Sequence, residues 1–358
     1  MYHITWVTIM NEKILKKVES GRRFAPDDYL NIFSSSSYAE LEPLINVIYD
    51  RQKSGHSPIK LTSTIHLTNQ CHVTPKCTYC GFAAGTSENG YYTPFHKTDS
   101  EIETIAKAIE LSGIPRVSCS GAHGYGGEQA VSAARIVKNT TSLELLINVG
   151  ADLTRESLEK ISRYNTDTIC CNLETVNEQL FHKLKPGENL ANRIHVCQMT
   201  DDIGLELSSG LLIGVGESHQ DRLNHLQFLK RYKNLGEIPI MGFNPYPGTP
   251  MANHPPCSLL EQIKTILVVR LMYPDIRITV PTPTIGPKNV SYSLKAGATN
   301  VATVIPENYP VDVKGVGSPV CGNLSDVLTT IYNLGLSPQL NPNFPYQTQK
   351  FTDGASVQ

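Results

Sequence analysis

Three thiols stand within ten residues, in the run Cys71-His72-Val73-Thr74-Pro75-Lys76-Cys77-Thr78-Tyr79-Cys80, which continues into Gly81-Phe82. Five residues and then two separate them, with no fourth thiol close behind. Thiolates are ligands for soft metals, and three of them leave a metal group one protein ligand short. A cubane iron-sulfur cluster takes four ligands, which electron carriers normally supply in full, so three leave one iron open to a reactant. Zinc is the competing reading, because Cys77-Thr78-Tyr79-Cys80 alone is half of a zinc ribbon. A closed zinc site needs a second Cys-x-x-Cys or a His pair at short range, which the chain lacks, although His72 lies inside the loop as a fourth donor.

Other residues able to do chemistry recur further along. The run Ser118-Cys119-Ser120-Gly121-Ala122-His123-Gly124-Tyr125-Gly126-Gly127-Glu128 has the glycines that let backbone groups approach a ligand, though a turn explains them equally well. In Asn172-Leu173-Glu174-Thr175, strand alternation puts Asn172 and Glu174 on one side, and a carboxylate facing a barrel interior rarely serves packing. The fork of Arg193 suits a carboxylate ligand, with a helix-surface salt bridge as the plainer account. Gly210-Leu211-Leu212-Ile213-Gly214-Val215-Gly216-Glu217 ends another strand-like run, and Asn244 and Tyr246 lie in the Pro-rich turn after the next. Arg277 and the run 281–287 are assigned to the same rim. His66 and His123 could transfer protons, but lone histidines are more often structural.

These segments resemble the radical S-adenosylmethionine (SAM) enzymes. What the resemblance implies is a [4Fe-4S] cluster on Cys71, Cys77 and Cys80, with SAM on the open iron, where one electron cleaves its sulfonium to a 5′-deoxyadenosyl radical. It implies that Tyr79 and the glycines around Gly214 flank the adenine, and that Ser120, Gly121, Asn172, Glu174 and Arg193 position SAM. A small-molecule substrate and a low-potential electron donor such as ferredoxin or flavodoxin follow from it. Asn172-x-Glu174-Thr175 is similar to an element of biotin synthase and the maturase HydE. The usual superfamily spacing is three residues then two; five then two most resembles the radical SAM family (HmdB, or HcgA) that helps build the iron-guanylylpyridinol cofactor of [Fe]-hydrogenase in methanogens. Methylornithine synthase stands in a neighbouring branch. Biotin synthase carries a second cluster on cysteines of adjacent strands; here Cys119 and Cys170 or Cys171 lack partners on the strands between, so one cluster is expected.

The elements that must position these residues alternate with a β/α period. Strands are predicted at Leu61–Leu67, Arg116–Ser120, Leu143–Asn148, Thr168–Leu173, Leu205–Ile213, Ile238–Asn244, Ile276–Val280 and Thr299–Val304, with helices between. Eight such units favour a parallel (β/α)8 barrel over a doubly wound open sheet, with the candidate residues on the loops after the strands. The expected divisions are a helical extension over 1–59, the barrel over 60–336, and an extended or disordered tail over 337–358. Helices are read at Asn11–Glu19, Pro26–Phe33 and after Ser37, and Ser100 is read as the cap of another.

Charge is nearly balanced, 31 basic against 33 acidic residues in 358, which argues against a general nucleic-acid or membrane-surface binder. Met1 to Met10 lacks a basic leader, and nine cysteines with Cys170 and Cys171 adjacent fit poorly to a disulfide framework. A cytoplasmic protein with reduced thiols is the expectation. The rival readings are an iron-sulfur scaffold or electron carrier that does not cleave SAM, and a zinc-dependent barrel hydrolase.

Overall fold

The computed structural model describes residues 12–84, 94–307, 309 and 321–342. Met1 to Met10, where no basic leader is read, Asn11 at the start of the first expected helix, and the expected tail from 343 onward lie outside them. A helix α1 covers 12–19, followed by α2 (Pro26–Phe33) and α3 (Tyr38–Ser54). The hydroxyl of Ser37 accepts from Glu40 N, as its spacing predicts, while the Glu40 carboxylate turns back to Ser36 rather than to the cap. Then β1 (Lys60–His66), α4 (Gly81–Ala84), α5 (Asp99–Leu111), β2 (Arg116–Ser120), α6 (Glu128–Thr140), β3 (Glu144–Asn148) and α7 (Arg155–Arg163) follow. Thr98, not Ser100, caps α5, because the reciprocal partner at the third helical position is Glu101.

The second half runs β4 (Thr168–Cys170), α8 (Glu178–Leu184), α9 (Leu190–Ile203), β5 (Glu206–Ser208), β6 (Leu211–Ile213), α10 (His219–Leu229) and β7 (Leu235–Gly242). It ends with α11 (Leu259–Met272), β8 (Arg277–Pro281), α12 (Thr282–Ile285), α13 (Val290–Lys295), β9 (Asn300–Ala302) and α14 (Leu324–Asn333). These strands pair with one another in parallel throughout, and the ring β1-β2-β3-β4-β5-β7-β8-β9 closes on β1. This is the (β/α)8 barrel that the alternation predicts.

Three predicted strands are markedly shorter than expected; the last, read at Thr299–Val304, is regular only over Asn300–Ala302. The fifth is broken into β5 and β6 at Ser209-Gly210, where a Cβ on Gly210 would lie 2.0 Å from Pro239 O. The fourth stops at Cys170, and Glu174 takes a left-handed φ of 64°.

Leu61, Ile65, Val117, Ile147, Ile169 and Val301 of the strands share one continuous core with Ile105 of α5, Ala133 of α6 and Leu158 of α7. The preface packs outside the barrel, α2 on α10 and α11, α3 on α11 and α13. The tail begins as a fixed segment: Ile59 N donates to Ser337 O and Gln339 N to Ile59 O, both at 2.7 Å. The barrel floor is polar. Arg116 and Arg277, each the first residue of its strand, meet Glu237 at 2.7 and 3.3 Å, and Arg277 meets Glu206 at 2.7 Å. Arg277 therefore closes the N-terminal end, and its assignment to the opposite rim is corrected. No helix among the described residues is long and apolar enough to cross a membrane.

Candidate functional site

The cysteine loop leaves the C-terminal end of β1 and is clamped on two sides. On one, His72 N donates to His123 O (2.8 Å), Tyr125 OH donates to Gln70 O (2.7 Å), and the rings of His72 and Tyr125 lie 4.7 Å apart. Gly124, at φ 109°, comes so close that a Cβ there would stand 2.4 Å from that of His72. On the other side Thr78 N donates to Leu184 O (2.9 Å) and Met251 N to Thr78 O (3.1 Å). A Cβ on Gly187 would lie 2.2 Å from Pro75 O. His72 is thus engaged with the glycine-rich loop, its Nδ1 3.3 Å from Gly124 O.

That glycine-rich loop is held from within. Asp152, after β3, accepts from the amides of Gly124 (2.8 Å), Tyr125 (3.0 Å) and Gly127 (3.3 Å). Ser120 and Gly121 continue β2, where Ser120 O accepts from Leu67 N and the Gly121 amide donates to Asn148 O at 3.2 Å. Four amide donors that the sequence offers to a ligand are therefore already bonded.

Beside the cysteines lies a buried set of alternating charges. Glu174 accepts from Tyr79 OH at 3.0 Å, and Lys185 Nζ stands 3.9 Å from the same carboxylate oxygen. Lys185 Nζ also lies 3.3 Å from Glu188, 3.7 Å from Cys77 Sγ and 5.3 Å from the centre of the Tyr79 ring. Glu188 receives Arg193 Nε at 2.7 Å and faces His123 Nδ1 at 3.5 Å, while Arg193 Nη1 donates to Asn172 O at 2.6 Å. Arg193 is only 3 % exposed, so the surface-salt-bridge alternative does not describe it.

Electrostatics follow from burial against pairing. Burial pushes the Cys77 thiol up to about 12, against the pull of Lys185. Burial and Arg193 disfavour the Lys185 ammonium, but Cys77, Glu174 and Glu188 outweigh them and hold it above the ordinary lysine range. Burial opposes the charge on Glu188 as well; His123, Arg193 and Lys185 together hold its carboxyl well below the usual range. Burial lowers His123 despite the carboxylate of Glu188, and burial with Lys97 brings His66 down to about 4.

Asn172 and Glu174 both lie beyond the regular part of β4, and Asn172 Nδ2 donates to Met241 Sδ at 3.6 Å. Regular strand ends at Cys170, so alternation does not reach them; the Asn172 carbonyl oxygen Oδ1 accepts from Gly210 N at 2.9 Å and braces the break in the neighbouring strand. Gly214, at φ 83°, donates to Glu217 Oε1 at 2.8 Å, and a Cβ there would lie 2.5 Å from that of Cys257. Around it Leu184, Leu212, Val215 and Phe243 form a small apolar cluster against which Tyr79, Met241, Met251 and Cys257 pack. Asn244 Nδ2 donates to Pro283 O at 2.7 Å, joining the β7 turn to the run 281–287 at the rim.

Lys185, Gly187, Glu188 and Asp152 were not marked by sequence reasoning. The available signal was Lys185-Pro186-Gly187-Glu188, a Pro-Gly turn flanked by opposite charges just before Arg193. None of the nine cysteines is in a disulfide. Cys171 and Cys197 lie fully buried behind Arg193, with Cys197 Sγ on Cys171 O and Cys171 Sγ on Arg193 O. Among the described residues no three His, Cys, Asp or Glu side chains converge as a single ion requires. Ligands of one zinc all lie about 2.0–2.3 Å from the same ion. Thiolates of a cubane each bind a different iron, a ligand set that three cysteines on one clamped loop can supply.

A fold of this kind with this loop defines a class, and comparison with known proteins agrees. The radical SAM superfamily matches residues 65–229, and the biotin and thiamin synthesis associated domain matches 239–308. The chain is 57 % identical over 315 residues to the uncharacterized protein MJ0785 of Methanocaldococcus jannaschii, covering 88 % of this chain and 84 % of that one. It is 24 % identical over 304 residues to 3-methylornithine synthase of Methanosarcina acetivorans, covering 83 % and 84 %. The crystal structure of methylornithine synthase (PylB) superposes with a TM-score of 0.80 at 20 % identity, over 94 % of this chain and 98 % of that one. The chain belongs to the radical SAM superfamily. Within it, the chain stands in the branch of biotin synthase, HydE and methylornithine synthase. Enzymes of this superfamily use a [4Fe-4S] cluster and S-adenosylmethionine, and the three cysteines with their adjoining cations fit both.

Proposed function

We propose that Cys71, Cys77 and Cys80 hold the [4Fe-4S] cluster and that the surrounding residues bind SAM for reductive cleavage in making the iron-guanylylpyridinol cofactor of [Fe]-hydrogenase. When bound, the cluster and SAM supply one electron and a 5′-deoxyadenosyl radical that abstracts hydrogen from the substrate. The chain's own residues hold, orient and exclude water. Glu174, fixed by Tyr79 OH, offers a carboxylate for an ammonium group, and the Arg193 guanidinium, set by Glu188 and Asn172 O, offers charge for a carboxylate. Tyr79 with Leu212, Val215 and Phe243 gives a dry surface on which an aromatic base can lie beside Gly214. Ser120 and Gly121 stand at the adjoining end of β2, and Asn172 keeps the strand break in place. Ferredoxin or flavodoxin is the proposed electron donor, and a small molecule the proposed substrate.

The observation that carries the finer reading is the five-then-two cysteine spacing on a chain otherwise built like biotin synthase. A methylornithine-synthase-like rearrangement is the second reading, favoured by likeness over nearly the whole length of PylB. The two separate experimentally. A methanogen disrupted in its own gene for this step should regain guanylylpyridinol when it expresses this chain, and not when it expresses Cys77→Ala. Conversion of lysine to its isomer 3-methylornithine by the loaded enzyme would instead support the second reading.

A further inference from the structure

Lys185 is a buried cation whose place no ligand-binding argument requires. Its side chain is 6 % exposed, and its Nζ sits between Cys77 Sγ at 3.7 Å, Glu188 at 3.3 Å and Glu174 at 3.9 Å. With the thiol protonated, Cys77 Sγ also faces Glu188 Oε1 at 3.7 Å as a donor. Once Cys77 is a thiolate that contact joins two anions, and the ammonium of Lys185 becomes the group facing both. A cubane on three thiolates carries one net negative charge when oxidised and two when reduced. A hydrogen-bond donor or cation at a ligating sulfur stabilises the more negative state, one of the main ways proteins tune such clusters.

Resting on the cluster assignment above, we propose that Lys185 donates to the Cys77 thiolate and raises the midpoint potential of the cluster, making it easier for the electron donor to reduce. Its role is positioning of charge at one ligand; it touches no substrate. The turn that carries it is fixed by the close approach of Gly187 to Pro75 and by the bond from Thr78 N to Leu184 O, so the contact is built into the docking of the loop. Glu188 at 3.3 Å and Glu174 at 3.9 Å pair with the lysine in this buried site and keep it from swinging away.

The test is a redox titration of anaerobically reconstituted protein, following the reduced-cluster electron paramagnetic resonance signal, for the native chain, Lys185→Met and Lys185→Arg. At equal iron and sulfide content Lys185→Met should titrate at a more negative potential, with Lys185→Arg between it and the native value. An unchanged midpoint in Lys185→Met overturns the inference. Should Lys185→Met fail to assemble a cluster, the native protein grown with 15N-lysine decides by pulsed electron paramagnetic resonance. A 15N coupling to the reduced cluster is expected, and its absence overturns the inference. If the native chain itself holds no [4Fe-4S] cluster, the cluster assignment fails, which the iron and sulfide analysis shows before any titration.

Discussion

Arg193 shows what a single residue does when burial removes every alternative. Its buried guanidinium is held by Glu188 and by Asn172 O, so its charge is aimed before a ligand arrives. Arg193→Lys keeps the charge and loses the fork; losing a charge-assisted bond of about 1.5–3 kcal/mol predicts SAM binding weaker by roughly ten- to a hundred-fold, read by equilibrium dialysis on the loaded enzyme. Binding at native strength would remove Arg193 from the SAM site. A different residue predicts pH dependence. His225 is 1 % exposed with neither ring nitrogen bonded, and burial brings it down to about 3. Its folded value is depressed, so below pH 6.5 the unfolded chain takes a proton that the fold refuses. Stability therefore falls as pH drops from 6.5 toward 3, by up to about 1.4 kcal/mol per pH unit from this group. Urea midpoints between pH 7.5 and 5 should fall less steeply for His225→Leu; equal slopes would show that His225 carries no such linkage. At this scale the sequence points to the cysteines and Glu174 because thiols at fixed spacing and acids at strand ends have few other uses, and to Arg193 through the family resemblance. It does not point to Lys185 and Glu188, since in sequence a charged pair in a Pro-Gly turn looks like solvated surface.

Elements matter here chiefly through close approach. Gly124 and Gly187, one on each flank, allow two loops to seat the cysteine loop at distances no side chain would permit. Gly187→Ala would push a methyl group into Pro75 O, at about 1–3 kcal/mol of overpacking, and loosen the loop at Leu184. The expected result is iron content at least several-fold lower after desalting while thermal unfolding shifts by only a few degrees; native iron content would show that the turn does not hold the loop. The strand-helix order was readable because parallel strands need crossovers, and most boundaries fell within a few residues. The broken fifth strand was not, because it depends on Pro239 meeting Gly210 from a strand some thirty positions away. The cap of α5 moved to Thr98 although both Thr98 and Ser100 have an acid three residues on: Glu101 closes the box on Thr98, while Glu103 pairs with Lys107 and Ser100 lies inside the first turn.

For the whole molecule, the barrel separates a polar floor from a reactive rim. Arg116 is fully buried, and Glu237, 1 % exposed, faces both it and Arg277; the arginines hold its carboxyl below the usual range despite burial. Glu237→Ala takes from the buried Arg116 its close carboxylate, while Arg277 keeps Glu206, and should cost about 3–5 kcal/mol, seen as a lower urea midpoint. Glu237→Gln, which keeps an acceptor, should cost less, and equal stability of all three would deny the network a structural role. The sequence showed the barrel but put Arg277 at the wrong end, since a residue's end of the barrel follows from where its strand starts, the least certain boundary in any pattern. Everything at the rim converges on one chemical claim, that this chain cleaves SAM on a three-cysteine cluster. Reconstituted protein with dithionite and SAM under strict anaerobiosis, analysed for 5′-deoxyadenosine and methionine by mass spectrometry beside Cys77→Ala, decides it. The nucleoside should form with the native chain and vanish in the variant. A fully loaded cluster that yields none, with candidate precursors present, would contradict the claim and leave a scaffold or electron carrier as the better description.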